Sequence, residues 1–295
     1  MLSNKLRMKE NFFGYLLLLP LLAVLGYLII YPILLGVSFS FYEKIIGQAE
    51  RFVGLQNYAI TIKDKYFLGA LLHSLIFTGG AIGGKFILGL AVALMLNQSF
   101  RGRNVTRGIL MLPWIIPTFV SCLTWLWMYD TTQGIFNWIL LKSGIVKTPI
   151  EWVSSTQLAL FSVIIVNIWK GMPFFVVTIL AGLQAVPEQL YEAANIDGAG
   201  RFRRLVHITL PLLLPVIIIV IGLSFIWTFN DFQMVWILTH GGPARATEIL
   251  PTLTYRMAFQ YMNLGQAATI PLFVLPFIGI FAFLLIKVTR KKEIQ

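Results

Sequence analysis

The sequence predicts an all-α integral membrane protein with six transmembrane helices. Three observations carry this. Apolar residues fill 58% of the 295 positions and charged residues 12%, against roughly 45–50% and about 25% in soluble domains. Six stretches approach the about 20 apolar residues that a spanning helix needs. Basic residues concentrate in alternate connections, the asymmetry that holds loops on the cytoplasmic side. The same composition excludes a disordered chain, which would be poor in apolar residues. A disulfide scaffold is excluded by the single cysteine, Cys122. The net charge of +11 is read as loop topology, with no nucleic-acid partner.

The first stretch, Phe12–Phe41, follows Lys5, Arg7 and Lys9. It is too long for a signal peptide and ends at no small-x-small site, so it reads as a retained extra N-terminal helix over 12–41. The core helices follow over about 71–288: Leu71–Leu96, Gly108–Tyr129, Leu158–Leu180, Ile208–Phe229 and Ala267–Val288. One transmembrane domain over 1–295 is expected. Arg101, Arg103 and Arg107 fall in one inside loop, Arg201, Arg203 and Arg204 in another, and Lys287, Arg290, Lys291 and Lys292 in the carboxyl tail. Both termini are therefore expected to be cytoplasmic. Prolines 20, 32, 113, 117, 173, 215, 271 and 276 lie within the apolar stretches. Each removes a backbone donor and tends to kink its helix. That suits a protein that encloses a pathway, but proline is also simply commoner in membrane helices.

Gly79-Gly80-Ala81-Ile82-Gly83-Gly84-Lys85 fits the phosphate-loop pattern G-x-x-x-x-G-K. Phe86 stands where a magnesium-binding hydroxyl belongs, and the apolar run continues to Leu96. Small residues here are expected to let two helices approach closely. His73, His207 and His240 are scattered, so no metal site is expected.

The segment 183–207 between the fourth and fifth stretches differs. Pro187 opens a short helix, Leu190, Ala193 and Ala194 share one face, and Asp197-Gly198-Ala199-Gly200 break it. Arg201-Phe202-Arg203-Arg204 then lead back into the membrane at Ile208. On physical grounds this is either a lever to another protein or a helix lying among lipid headgroups.

Glu192-Ala193-Ala194, Gly198 and, after nine residues, Ile208-x-Leu210-Pro211 meet every specified position of the EAA motif. The chain thus resembles the permease subunits of ABC importers. Asn57-Tyr58, Leu88-Gly89-Leu90, Leu112-Pro113-Trp114, Trp169-Lys170-Gly171-Met172-Pro173, Phe229-Asn230-Asp231-Phe232 and Leu238-Thr239-His240-Gly241-Gly242-Pro243 are similar to the binding-protein-dependent carbohydrate branch, of maltose type. The first outside loop is too short for the large extra domain of the enteric maltose permease, whose contacts do not carry over.

This resemblance implies the type I ABC-importer permease architecture with a cytoplasmic coupling helix. Glu192, Ala193, Ala194, Asp197, Gly198 and Arg201 become the ATPase contact. It implies a second, related permease subunit, two cytoplasmic ATPase subunits, an external sugar-binding protein and a location in a bacterial-type plasma membrane. The chain itself is then no enzyme and carries no cofactor; ATP and magnesium belong to the ATPase. The cargo is a di- or oligosaccharide, with glycerol phosphate as the non-sugar alternative.

A sugar site combines planar hydrogen-bonding groups with aromatic faces. The best cluster is Trp227, Asn230, Asp231 and Gln233, with Lys170, Asn167 and Tyr129 as further candidates. Competing readings are interfacial anchoring for the aromatics, a helix cap for Asn230-Asp231, and a carbonyl or headgroup partner for Lys170. An ion-coupled transporter would place a carboxylate inside a span, and none is found there. A lipid-modifying enzyme would need a nucleophile–base set or a metal, and neither is evident.

Overall fold

The described parts of all six predicted stretches lie on helices, the third across a break, in the computed structural model, which describes residues 15 and 17–293. Lys5, Arg7 and Lys9 lie outside the described residues. The first helix, α1, covers Leu17–Ser40. The small strands β1 (Tyr42–Glu43) and β2 (Arg51–Phe52) and the helix α2 (Gln56–Lys63) follow. Next come α3 (Lys65–Asn97), α4 (Arg103–Ile115), α5 (Thr118–Met128), α6 (Ile135–Lys142), α7 (Ala159–Gln184) and α8 (Glu188–Ile196). The chain ends with α9 (Arg201–Phe229), α10 (Phe232–Thr239), α11 (Leu250–Tyr255) and α12 (Leu264–Glu293).

Helices α1, α3, α7 and α9 are long and apolar enough to cross a membrane, and the bent pair α4–α5 makes a fifth span if counted as one. The sixth predicted span lies on α12, whose described apolar part, Leu264–Ile280, is shorter. Large apolar side chains of α1 face outward, Leu17 and Tyr27 among them. In water an apolar patch of this size would drive association; lipid or a partner subunit covers it in a membrane protein.

Proline explains the irregular turns. Wider π-turns at Gly26–Ile30 and Leu205–Thr209 lie just before Pro32 and Pro211. Each proline ring crowds the carbonyl four residues earlier, and the wider turn relieves that crowding. Pro117 does more. It forces Ile116 into an extended conformation (φ −59°, ψ 132°), and α4 and α5 meet there at 93°. The predicted third span is therefore broken.

The chain divides into two compact units, one of Met1–Asp64 with Thr254–Phe273, the other of Lys65–Leu253 with Val274–Gln295. In the first, Asn57 joins α2 to the end of α1. Its Nδ2 donates to the carbonyls of Ser40 (2.9 Å) and Tyr42 (2.8 Å), and Asn57 is buried. Gly265 permits this arrangement, since a Cβ there would fall 3.1 Å from Asn57 Nδ2 and against the Tyr42 carbonyl. Asn57→Ala should cost about 1–3 kcal/mol, the price of two carbonyls losing their donor. The thermal midpoint of the detergent-purified protein should fall, and Tyr58→Phe, which loses one hydroxyl contact to Ser40 (2.8 Å), should lower it less.

In the second unit α3 packs along α7. Its core runs in two clusters, one around Phe77, Ala81, Trp125, Val163 and Met234, the other around Ala93, Phe175, Ile179, Leu213 and Val220. Glycines set the spacing: a Cβ at Gly80 would lie 3.2 Å from Ile164 Cδ1, and one at Gly89 2.6 Å from Phe175 Cβ. The G-x-x-x-x-G-K segment is thus continuous helix inside α3, with small residues facing a neighbouring helix.

Candidate functional site

Three groups of residues merit separate description, all in the second unit. The first is the hairpin of α8 and the start of α9. Pro187 precedes Glu188 in the first turn of α8, the residue order that suits a helix start. The helix stops at a glycine in the left-handed region. Gly198 has φ +72°; the Ala199 amide donates to Ala194 (2.9 Å) and the Gly198 amide to Asn195 (3.1 Å). This 6→1 and 5→2 pair is the Schellman stop, in which glycine carries no Cβ penalty.

The hairpin is tied back to its base on one side. The Tyr191 hydroxyl meets Thr209 Oγ1 at 3.0 Å, Arg204 Nη1 donates to Asn195 Oδ1, and Ala194 is buried. The other side is open. Glu192, Ala193, Asp197, Gly198 and Arg201 are exposed, together with Ile196 at 88% and Phe202 at 78%. Two acidic residues, two small ones, one arginine and two large apolar ones are thus uncovered along the hairpin, the composition of a docking surface.

The second group is a polar layer where α3, α7, α9 and α10 meet. Lys85 is buried, and its Nζ donates to Thr228 Oγ1 at 2.9 Å. Asn167 Nδ2 donates to Asp231 Oδ2 at 2.9 Å, while Asp231 Oδ1 caps α10 by accepting from the Met234 amide at 3.1 Å. Two buried oxygens, Asn167 Oδ1 and Thr78 Oγ1, have no hydrogen-bond partner among the described residues.

Lys170 sits at the α4–α5 break. Its Nζ donates to the carbonyls of Ile116 (2.7 Å) and Pro113 (3.3 Å), which proline leaves without helical partners. Lys170→Met should therefore loosen the bend and cost about 1–3 kcal/mol, read as a lower thermal midpoint, whereas Lys170→Arg should retain most of it. An unchanged midpoint combined with altered uptake kinetics would point to substrate contact instead.

The remaining candidates separate. Trp227 is exposed and lies against Phe174, ring centroids 5.2 Å apart. Asn230 Nδ2 donates to the Ile226 carbonyl at 2.8 Å, ending α9. Gln233 is exposed. Tyr129 is buried, its hydroxyl donating to the Ser162 carbonyl at 3.1 Å. The structure thus joins Asn167 to Asp231, with Lys85 and Thr228 nearby, and holds Tyr129 in the aromatic core with Trp125, Phe136 and Trp152.

The third group is the loop after α10, expected as a turn at Gly241-Gly242-Pro243. Gly241 has φ +80° and the Gly242–Pro243 bond is cis. Thr247 Oγ1 donates to the Gly242 carbonyl (2.7 Å) and meets Thr239 Oγ1 (2.6 Å). Glu248 follows in the same family-like segment, where sequence reasoning assigned it no role of its own; it is only 2% exposed and pairs with Arg245 at 3.2 Å. Arg245 in turn lies 3.7 Å over the Tyr66 ring, a cation–π arrangement. The signal was the three-residue spacing of opposite charges, unremarkable alone in a loop.

The family model for the binding-protein-dependent transport system inner membrane component matches residues 85–292. The trehalose/maltose transport system permease protein MalF of Thermococcus litoralis is 40% identical over 266 residues, covering 90% of this chain and 88% of that protein. The sulfoquinovosyl glycerol transport system permease protein SmoG of Agrobacterium fabrum is 31% identical, covering 88% of this chain and 85% of that one. A crystal structure of a bacterial ABC transporter importing the acidic polysaccharide alginate has a chain that superposes with a TM-score of 0.82. Sequence identity there is 21%, over 97% of both chains, so that likeness speaks for the fold. The structure holds the helical architecture of that fold, and this chain belongs to the family of binding-protein-dependent transport system inner membrane components.

Proposed function

We propose that this chain is one of two permease subunits of an ATP-driven importer for a di- or oligosaccharide. The observation that carries the reading is the hairpin, tied at its base through Tyr191 and Thr209 and uncovered at Glu192, Ala193, Ile196 and Gly198. A rigid element with an open face transmits motion without itself storing it. ATPase subunits on the cytoplasmic side grip that face with different affinity in two states, and this difference shifts the permease between inward- and outward-open forms. ATP and its magnesium stay on the ATPase, and this chain performs no chemistry. The pathway residues are Asp231, Asn167 and Lys85, with Trp227 at the exposed edge and Asn230, Gln233, Lys170 and Tyr129 supporting them. The Gly241–Glu248 loop, facing outward, receives the external binding protein. Both termini are cytoplasmic, and residues 1–295 work as one permease domain. The names of MalF and SmoG support a carbohydrate cargo.

The test is affinity purification of the tagged chain in mild detergent, followed by mass spectrometry. An ATPase and a second permease in a ratio of two to one to this chain support the importer. Purification alone, with proton- or sodium-driven uptake in liposomes, overturns it in favour of a secondary transporter.

A further inference from the structure

The boundary between α3, α4 and α7 carries a charge arrangement that transport does not use. Arg103 and Arg107 stand four residues apart at the start of α4, on one helix face. With its amide oxygen turned toward them, Gln184 accepts from Arg103 Nη2 at 2.8 Å and from Arg107 Nη2 at 2.9 Å. Two cations thus share one neutral acceptor. The Nε of each arginine is buried and has no partner, and among the described residues neither forms an ion pair. Buried guanidinium donors without acceptors are costly. The Nε atoms are enclosed, but both arginines are partly exposed, and a phosphate suits the reachable edge of a guanidinium.

Beside this cationic pair lies a cavity of about 210 Å³. Arg107 and Gln184 form its polar end; Leu110, Met111, Val176, Val177 and Leu180 line the rest. The lining descends along α7 from Gln184 to Pro173, a helical rise of about 16 Å. The spans α3 and α7 end at Asn97 and Gln184, so the arginines sit where membrane meets water. A free anion would leave the apolar slot empty, and a sugar would gain nothing from it. We propose that Arg103, Arg107 and Gln184 hold the headgroup of one anionic membrane phospholipid, with an acyl chain in the slot beside α7. Basic pockets between membrane helices commonly take such headgroups.

The experiment uses the purified importer complex in nanodiscs that contain phosphatidylglycerol and phosphatidylcholine. After transfer to detergent, retained lipid is counted by native mass spectrometry. The expected result is selective retention of phosphatidylglycerol, reduced about thirtyfold in affinity by Arg103→Gln with Arg107→Gln. Val177→Phe fills the slot and leaves both arginines; it should also weaken retention, which keeps the test open if the double variant fails to fold. Equal retention of both lipids, or retention unchanged in the variants, overturns the proposal. Displacement of the lipid by inorganic phosphate at equal concentration would also overturn it, because the slot would then contribute nothing and the site would be one for free anions.

Discussion

ATP-driven uptake should fall at least about tenfold when Glu192 is replaced by Lys and Gly198 by Val, while the chain still inserts and assembles in the membrane. Glu192 is exposed and makes no hydrogen bond among the described residues, so its replacement costs this chain little, within about 0.5 kcal/mol. Gly198 has open space around the position of a Cβ. The cost there is confined to a left-handed backbone at φ +72°, about 1–2 kcal/mol for a residue with a side chain. Neither change disturbs the Tyr191–Thr209 tie. A large loss of transport with a thermal midpoint lowered by only a few degrees must therefore arise from a contact outside the chain. Gln189→Ala, an exposed change on the same helix, should leave uptake near normal. Sugar-stimulated ATPase activity at the wild-type level in the Glu192→Lys, Gly198→Val variant would reject the coupling role of this hairpin.

How far the sequence reached depends on whether a feature is local. The hairpin was legible because Pro187, Gly198 and Arg201 act on their own neighbourhoods, through backbone geometry and capping. The helices were legible from apolar runs, and the prolines marked where they bend. Pro117 was recognised as a kink, but the partner at its 93° turn is distant: Lys170, 54 residues from Ile116, donates to the Ile116 carbonyl. The polar layer was less accessible still. Thr228 is 143 residues from Lys85, and nothing local marks it as a partner. Asp231 was read as an edge residue with a possible capping role, which it has toward Met234, yet its bond to Asn167 crosses 64 residues. The burial of Glu248 was not foreseen for a related reason. Loop carboxylates are usually solvated, and only the packing of Tyr66 and Arg245 around this loop makes burial of this one feasible.

Gly171→Val should destabilise the protein by roughly 2–4 kcal/mol, and its effect should pass through Lys85. A Cβ at position 171 would fall 2.6 Å from Lys85 Cε and 3.0 Å from both Cδ and Nζ. On a surface the lysine would swing aside at little cost. Here it is buried and bonded to Thr228, so moving it breaks a hydrogen bond to a charged group, worth about 1.5–3 kcal/mol. Lys85→Met removes both the charge and the bond, leaving a flexible thioether that can accommodate the added methyls. Gly171→Val should then cost less than about 1 kcal/mol in the Lys85→Met background, an interaction energy of about 1.5–3 kcal/mol in the double-mutant cycle. Thermal or denaturant midpoints of the four purified proteins measure it. Gly79→Val provides the comparison, since no atom lies within 4 Å of its Cβ position and it should show no coupling to Lys85. If Gly171→Val proves equally damaging with methionine at position 85, the glycine is required by the packing of α7 alone and the Lys85–Thr228 contact does not depend on it. If the coupling is found, the close approach of α3 and α7 does two things at once. It packs the core, and it holds the buried Lys85 against Thr228 in the layer proposed to line the sugar's path.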